Sequence, residues 1–193
     1  MKRVLKVVAV GILVLLVCWA IGYQFEYSYD LNMVTLPVEI GKMYNKGYER
    51  EKLPNVDVYD GVGVGNKEYY LFEIGEEIQL GTVTLEKGWN GRWKIDWLSY
   101  GGGNFRNSIV EADGHSYLIF AGSDIGRKIA TVQVTVQNRE YTLQVAGHDG
   151  NFIMCEEVYL TDEENHVLPD AIRFLDIDGN DITEQYDRSG GGI

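Results

Sequence analysis

The chain has 193 residues, with 17 basic against 29 acidic side chains and a net charge of −12. Lys2, Arg3 and Lys6 are the only charges in the first 23 residues, so the remainder carries 14 basic against 29 acidic groups, a net −15. A surface this acidic repels phosphate backbones and argues against nucleic acid as a partner. Only Cys155 lies outside the first 23 residues, which excludes an intradomain disulfide framework.

Val7–Tyr23 is a run of seventeen residues without a charge. As a helix it covers roughly 25 Å, the short end of a membrane span. The basic start places the N-terminus in the cytoplasm, and Trp19, Tyr23, Phe25, Tyr27 and Tyr29 mark an interfacial exit. Residues 1–23 are therefore expected to be a single-pass signal anchor, with the following domain outside. A cleaved signal peptide is the alternative, since Ala20 with Gly22, or Cys18 with Ala20, forms a small-x-small pair. Lipidation at Cys18 is a third reading, but Val17 and Trp19 around it depart from a lipobox. Each of the three exports the domain.

Residues 24–34 are expected to be an aromatic tether, 35–188 an extracytoplasmic β-domain and 189–193 a flexible tail. Thr35, Pro37, Glu39 and Gly47 are placed as the cap, first turn and end of one short helix. From residue 56 the period becomes two. Strands are expected over 67–74, 78–85, 92–100, 108–112, 116–120, 129–136, 140–145 and 152–160, with Gly81 a possible bulge. Asp113-Gly114 reads as a type I′ turn. Segments 170–177 and 181–186 are expected to pair around Asp178-Gly179. Tight turns of this kind join antiparallel strands. The expected fold is mainly β: an N-terminal transmembrane helix, then an antiparallel β-sandwich or partly closed barrel with one short helix. Gly101–Gly103 is the one internal break, where the sheet could divide.

Trp89, Trp93 and Trp97 invite a carbohydrate platform. Strand alternation puts Trp93 and Trp97 on the face of Ile95, as core, and leaves Trp89, in a glycine-flanked turn, as the contact candidate. Asp176, Asp178 and Asn180 resemble the start of a calcium loop, but the glycine falls fourth and no glutamate stands at position twelve, which favours a plain turn. His115, His148 and His166 have no zinc spacing. An anchor followed by a β-domain with histidine, Cys155 and Arg173 has the outline of a sortase. However, Cys155 stands in Phe-Ile-Met-Cys-Glu-Glu, and two following acids raise a thiol pKa, so an inert cysteine is expected. No residue is assigned to catalysis or to a cofactor.

Lys87-Gly-Trp-Asn-Gly-Arg-Trp-Lys-Ile95, between an aromatic strand and a β-meander, resembles uncharacterised membrane-anchored, extracytoplasmic β-rich proteins of Gram-positive bacteria. The resemblance implies a location in the cell envelope and no activity. The expected function is binding, to an envelope protein, a wall polymer or ions, on a membrane tether. The alternatives are an envelope enzyme such as a glycan hydrolase, which needs two facing carboxylates about 5–10 Å apart, and an inhibitor presenting a patch at a sheet edge.

Overall fold

The structure is a computed structural model that describes residues 2–46, 52–75, 79–124, 126–145, 150–161 and 168–187. Helix α1 spans Lys2–Glu26 and helix α2 Leu36–Asn45. Among the described residues ten strands follow: β1 Val56–Val64, β2 Lys67–Ile74, β3 Gln79–Lys87, β4 Trp93–Gly101, β5 Phe105–Ala112, β6 His115–Ser123, β7 Thr131–Val136, β8 Arg139–Gln144, β9 Asn151–Val158 and β10 Ala171–Leu175. A single-turn helix, α3, covers Glu184–Asp187.

Every strand pair is antiparallel. Strands β1 to β4 form a meander, the second sheet has the order β5-β6-β9, and the third β10-β7-β8. The sheets stay open and stack as a sandwich with an extra layer. Phe72, Ile74, Val83 and Leu85 of the meander face Leu36 and Ile40 of α2. Its other face, with Tyr69, Leu71 and Leu80, packs on Ile119, Ala121 and Ile153 of the second sheet. Leu118, Phe120 and Phe152 then face Val132, Val134 and Phe174 of the third. Strands β2 and β6 are thus buried on both faces, so neighbouring residues such as Leu71 and Phe72 enter different cores. Each fully buried side chain of this size contributes roughly 1.5–3 kcal/mol.

The glycine break carries the chain from the meander to the second sheet, since β4 ends at Gly101 and β5 begins at Phe105. Asp113 (φ 53°) and Gly114 (φ 79°) make the expected turn between β5 and β6. Helix α2 has Pro37 and Glu39 in its first turn, but Thr35 makes no side-chain cap. Asn32 starts it instead: its carbonyl accepts from the Thr35 and Leu36 amides, both at 3.0 Å. Gly47 lies outside the described residues.

Three local expectations are corrected. Gly81 pairs in regular register with Phe72 and Tyr100. It is small because a Cβ there would meet Phe72 Cζ at 2.5 Å and the Ser99 carbonyl at 2.6 Å. The bulge lies in β4 instead, where Thr84 pairs with Trp97 but Leu85 pairs with Ile95, leaving Asp96 unmatched. The extra residue reverses the alternation. Trp93, Ile95 and Leu98 pack towards α2, while Trp97 turns to the opposite face and is 67% exposed rather than core.

The third correction is at the chain's last hairpin. Leu175 and Asp181 form an isolated bridge, and among the described residues no second strand follows. Side chains take over the ladder: the Phe174 amide donates to Thr183 Oγ1 at 2.9 Å, and Asp181 Oδ1 accepts from the Thr183 amide at 3.0 Å. Such local bonds compete with strand pairing. The α3 turn is held by buried Asp124, whose carboxylate accepts from Tyr186 Oη at 2.8 Å and from the Ile129 amide at 2.7 Å.

Candidate functional site

Two features stand out: the junction between α1 and the meander, and a cleft between the first two sheets. Among the described residues one helix, Lys6–Glu26, is long and apolar enough to cross a membrane, and none of that span is buried. It is compatible with a membrane anchor or a signal sequence. Within residues 24–34, expected as a tether, Tyr27 and Tyr29 are held against the meander. The helix runs through Glu26, Tyr27 is buried, and Tyr29 forms a bridge with Trp93 through amide–carbonyl bonds of 3.0 and 2.8 Å.

Trp19, Tyr23 and Tyr27 recur every four residues and so share one helix face. Tyr23 and Tyr27 stack at 4.4 Å, and Trp89 from the β3–β4 turn stacks on Tyr23 at 5.0 Å and on Trp19 at 6.4 Å. The Trp89 amide donates to Tyr23 Oη at 2.9 Å. Asn90 Nδ2 donates to Gln24 Oε1 and to the Tyr27 carbonyl, both at 3.2 Å. Gly88 permits this approach, since a Cβ there would lie 2.6 Å from both Tyr23 Oη and Tyr27 Cδ1. Trp89 itself remains 67% exposed, beside the last apolar turns of the helix.

Charge reinforces the junction. Lys94 Nζ pairs with Glu26 at 3.0 Å and Glu86 at 3.3 Å and lies 4.8 Å from the Tyr27 ring centroid. Tyr27 Oη donates to Glu86 Oε1 at 2.8 Å. Burial opposes the Lys94 charge, but hydrogen bonds with Glu26, Tyr27 and Glu86 outweigh it and hold the ammonium above the ordinary lysine range.

The cleft arises because β3 and β4 overhang the second sheet. Its floor carries Tyr69, Thr82, Thr84, Trp97 and Ser99, and β5 forms a wall with Arg106 and Ser108; its volume is about 280 Å³. Lys67 and Asp96 close one end with an ion pair of 2.8 Å. Arg106 donates to the carbonyls of Leu80 at 2.9 Å and Phe105 at 2.6 Å. Tyr69 is only 6% exposed, and burial pushes its hydroxyl up to about 12, with Asp96 adding to the effect. The cleft is lined by one carboxylate, Asp96. This cleft therefore does not hold the facing pair that a glycan hydrolase needs.

The remaining sequence candidates lie apart. Asp176 Oδ1 accepts from the amides of Asp178 (2.9 Å) and Asn180 (2.8 Å), and Oδ2 from Asn180 Nδ2 at 3.0 Å. Those bonds, the Asn180 side chain's foremost, hold the Asp176 carboxyl below its ordinary value. Asp176, Asp178 and Asn180 thus form a self-satisfied turn, and among the described residues no three His, Cys, Asp or Glu side chains gather as a metal set. Cys155 faces the meander, half-buried, and its thiol is pushed up by burial and then by Glu156. Arg173 belongs to the third sheet and pairs with Asp181 at 3.3 Å, while His115 pairs with Glu157 at 2.8 Å. Cys155, His115 and Arg173 therefore do not converge; His148 and His166 lie outside the described residues.

No protein-family model matches this chain, and neither does any curated protein or solved structure compared with it.

Proposed function

We propose that this protein is a single-pass, membrane-anchored binding module of the cell envelope, with its N-terminus in the cytoplasm and its β-domain outside. The observation that carries the reading is the way α1 ends. Its apolar surface is left uncovered, yet its last two turns are bound to the domain by the Trp19–Tyr23–Tyr27 face, Trp89, Asn90 and Lys94. A helix destined only for cleavage gains nothing from a fitted socket on the mature domain. The same contacts put the exposed Trp89 ring at the level of Trp19, where indoles favour the headgroup layer. The domain would then stand in a fixed pose on the membrane, with the β3–β4 turn at the surface.

The resemblance of Lys87–Ile95 to membrane-anchored envelope proteins of Gram-positive bacteria supports the same location. The net −15 of the domain keeps it from adhering to anionic lipid, so attachment falls to the helix and its aromatic collar. The test is alkaline phosphatase fused after residue 187, together with the intact mass of the membrane-extracted chain. Phosphatase activity and an uncleaved N-terminus are expected. A mature chain starting after Cys18, Ala20 or Gly22, or an inactive phosphatase, would overturn the anchored topology.

A further inference from the structure

We infer that the cleft between the β3–β4 overhang and β5 binds the uncharged pyranose units of a glycan, with Trp97 as the stacking platform. This rests on the envelope-binding reading above and names the ligand class for it.

The first observation is Tyr69. It is more than nine-tenths buried, its side chain lines the cleft, and among the described residues its hydroxyl has no hydrogen-bond partner. That hydroxyl is also not sealed off, since the one fully enclosed unsatisfied side-chain atom among the described residues is Asn45 Oδ1. The hydroxyl therefore opens into the cleft, where water or a ligand hydroxyl can complete it.

The second observation is the β4 bulge. Regular alternation would have placed Trp97 with Ile95 against α2. The unmatched Asp96 turns the indole out over the cleft floor, next to Thr84, its partner on β3. A pyranose presents axial C–H bonds, which carry partial positive charge and suit the negative face of an indole.

The third is the kind of polar group around that ring. Thr82 pairs with Ser99 and Thr84 with Trp97, so hydroxyls surround the platform on two adjacent strands. Among the described residues the hydroxyls of Thr82, Thr84, Ser99 and Ser108 make no side-chain hydrogen bond. Each both donates and accepts, as sugar hydroxyls do. The charged groups are already engaged: Lys67 with Asp96, and Arg106 with two carbonyls. This leaves little to select an ionic ligand. A volume of about 280 Å³ is at the small end of ligand sites, enough for a ring or two of a longer chain leaving by the open side.

The test uses the full chain in lipid nanodiscs, because sugar-headed detergents would compete. Chitotetraose and cellotetraose are titrated while tryptophan emission and calorimetric heat are followed. At least one is expected to bind. Trp97→Ala should weaken it roughly tenfold or more, and Tyr69→Phe about three- to tenfold without changing the circular dichroism spectrum. Trp89→Ala, outside the cleft, should leave affinity unchanged. Binding of neither sugar, equal affinity in Trp97→Ala, or capture only of extended peptides along the β4 edge would overturn the inference. A failure here with an active phosphatase fusion removes the glycan site alone; an inactive fusion removes the envelope reading beneath it.

Discussion

Gly88→Ala isolates the helix–domain junction. Gly88 is not among the residues with positive φ, so alanine meets no backbone strain of its own. Its Cβ would lie 2.6 Å from Tyr23 Oη and Tyr27 Cδ1, where ordinary contact is about 3.5 Å. Each ring must withdraw by roughly 0.9 Å, and overpacking of this kind costs about 1–3 kcal/mol. Withdrawal also forfeits the Trp89 amide bond to Tyr23 and the Tyr23–Trp89 stack, each worth about 1 kcal/mol. Together these come to about 3–5 kcal/mol, more than the roughly 2.7 kcal/mol that carries a 99:1 equilibrium to 1:1, so the docked pose should become the minor one. Spin labels on native Cys18 and on Thr142→Cys, an exposed β8 position, report this in liposomes with Cys155→Ala as background. The parent should give one narrow distance distribution and Gly88→Ala a broad one. Equal widths in both would refute the claim that this junction fixes the domain on its helix.

Further outcomes concern stability. Asp124→Ala removes a charged acceptor from Tyr186 Oη and the Ile129 amide, which should cost about 3 kcal/mol and lower Tm by roughly 6–12 °C; Tyr186→Phe should cost about half of that. Burial, then Glu73, lifts Tyr59 to about 12; burial lifts Tyr69 to about 12; burial and Asp124 also raise Tyr186. Because these folded values exceed the unfolded value of about 10, their contribution is complete below pH 10 and is lost as pH rises towards 12 and beyond. Spectrophotometric titration should show a tyrosine class that ionises only with unfolding, and urea midpoints should fall above pH 10. A single tyrosine class at pH 10 would contradict this.

Much of the fold was legible because hairpins write themselves locally. Alternation and the Asp113-Gly114 turn placed most strands to within a few residues. The stacking of three sheets was not legible, since period two says that a strand has two faces but not that both are covered, as they are on β2 and β6. Alternation misplaces Trp97 because one unmatched residue, Asp96, flips everything after it, and nothing in Trp-Lys-Ile-Asp-Trp announces a bulge. At Asp181–Tyr186 apolar alternation lost to the hydrogen bonds of Asp181 and Thr183. The junction left a readable signal in the four-residue spacing of Trp19, Tyr23 and Tyr27, but its partner lies more than sixty residues away in the chain. Tyr69 resembles every other strand tyrosine, and only burial without a partner distinguishes it.

The most direct test of the anchored pose is the depth of Trp89. With Trp19, Trp93 and Trp97 replaced by phenylalanine, Trp89 is the sole indole of the full chain and can be read in liposomes containing lipids brominated at successive depths. Strongest quenching by bromines nearest the headgroups, with blue-shifted emission, is the predicted result. Emission characteristic of bulk water and indifferent to every brominated lipid would contradict a domain seated at the membrane on its own helix.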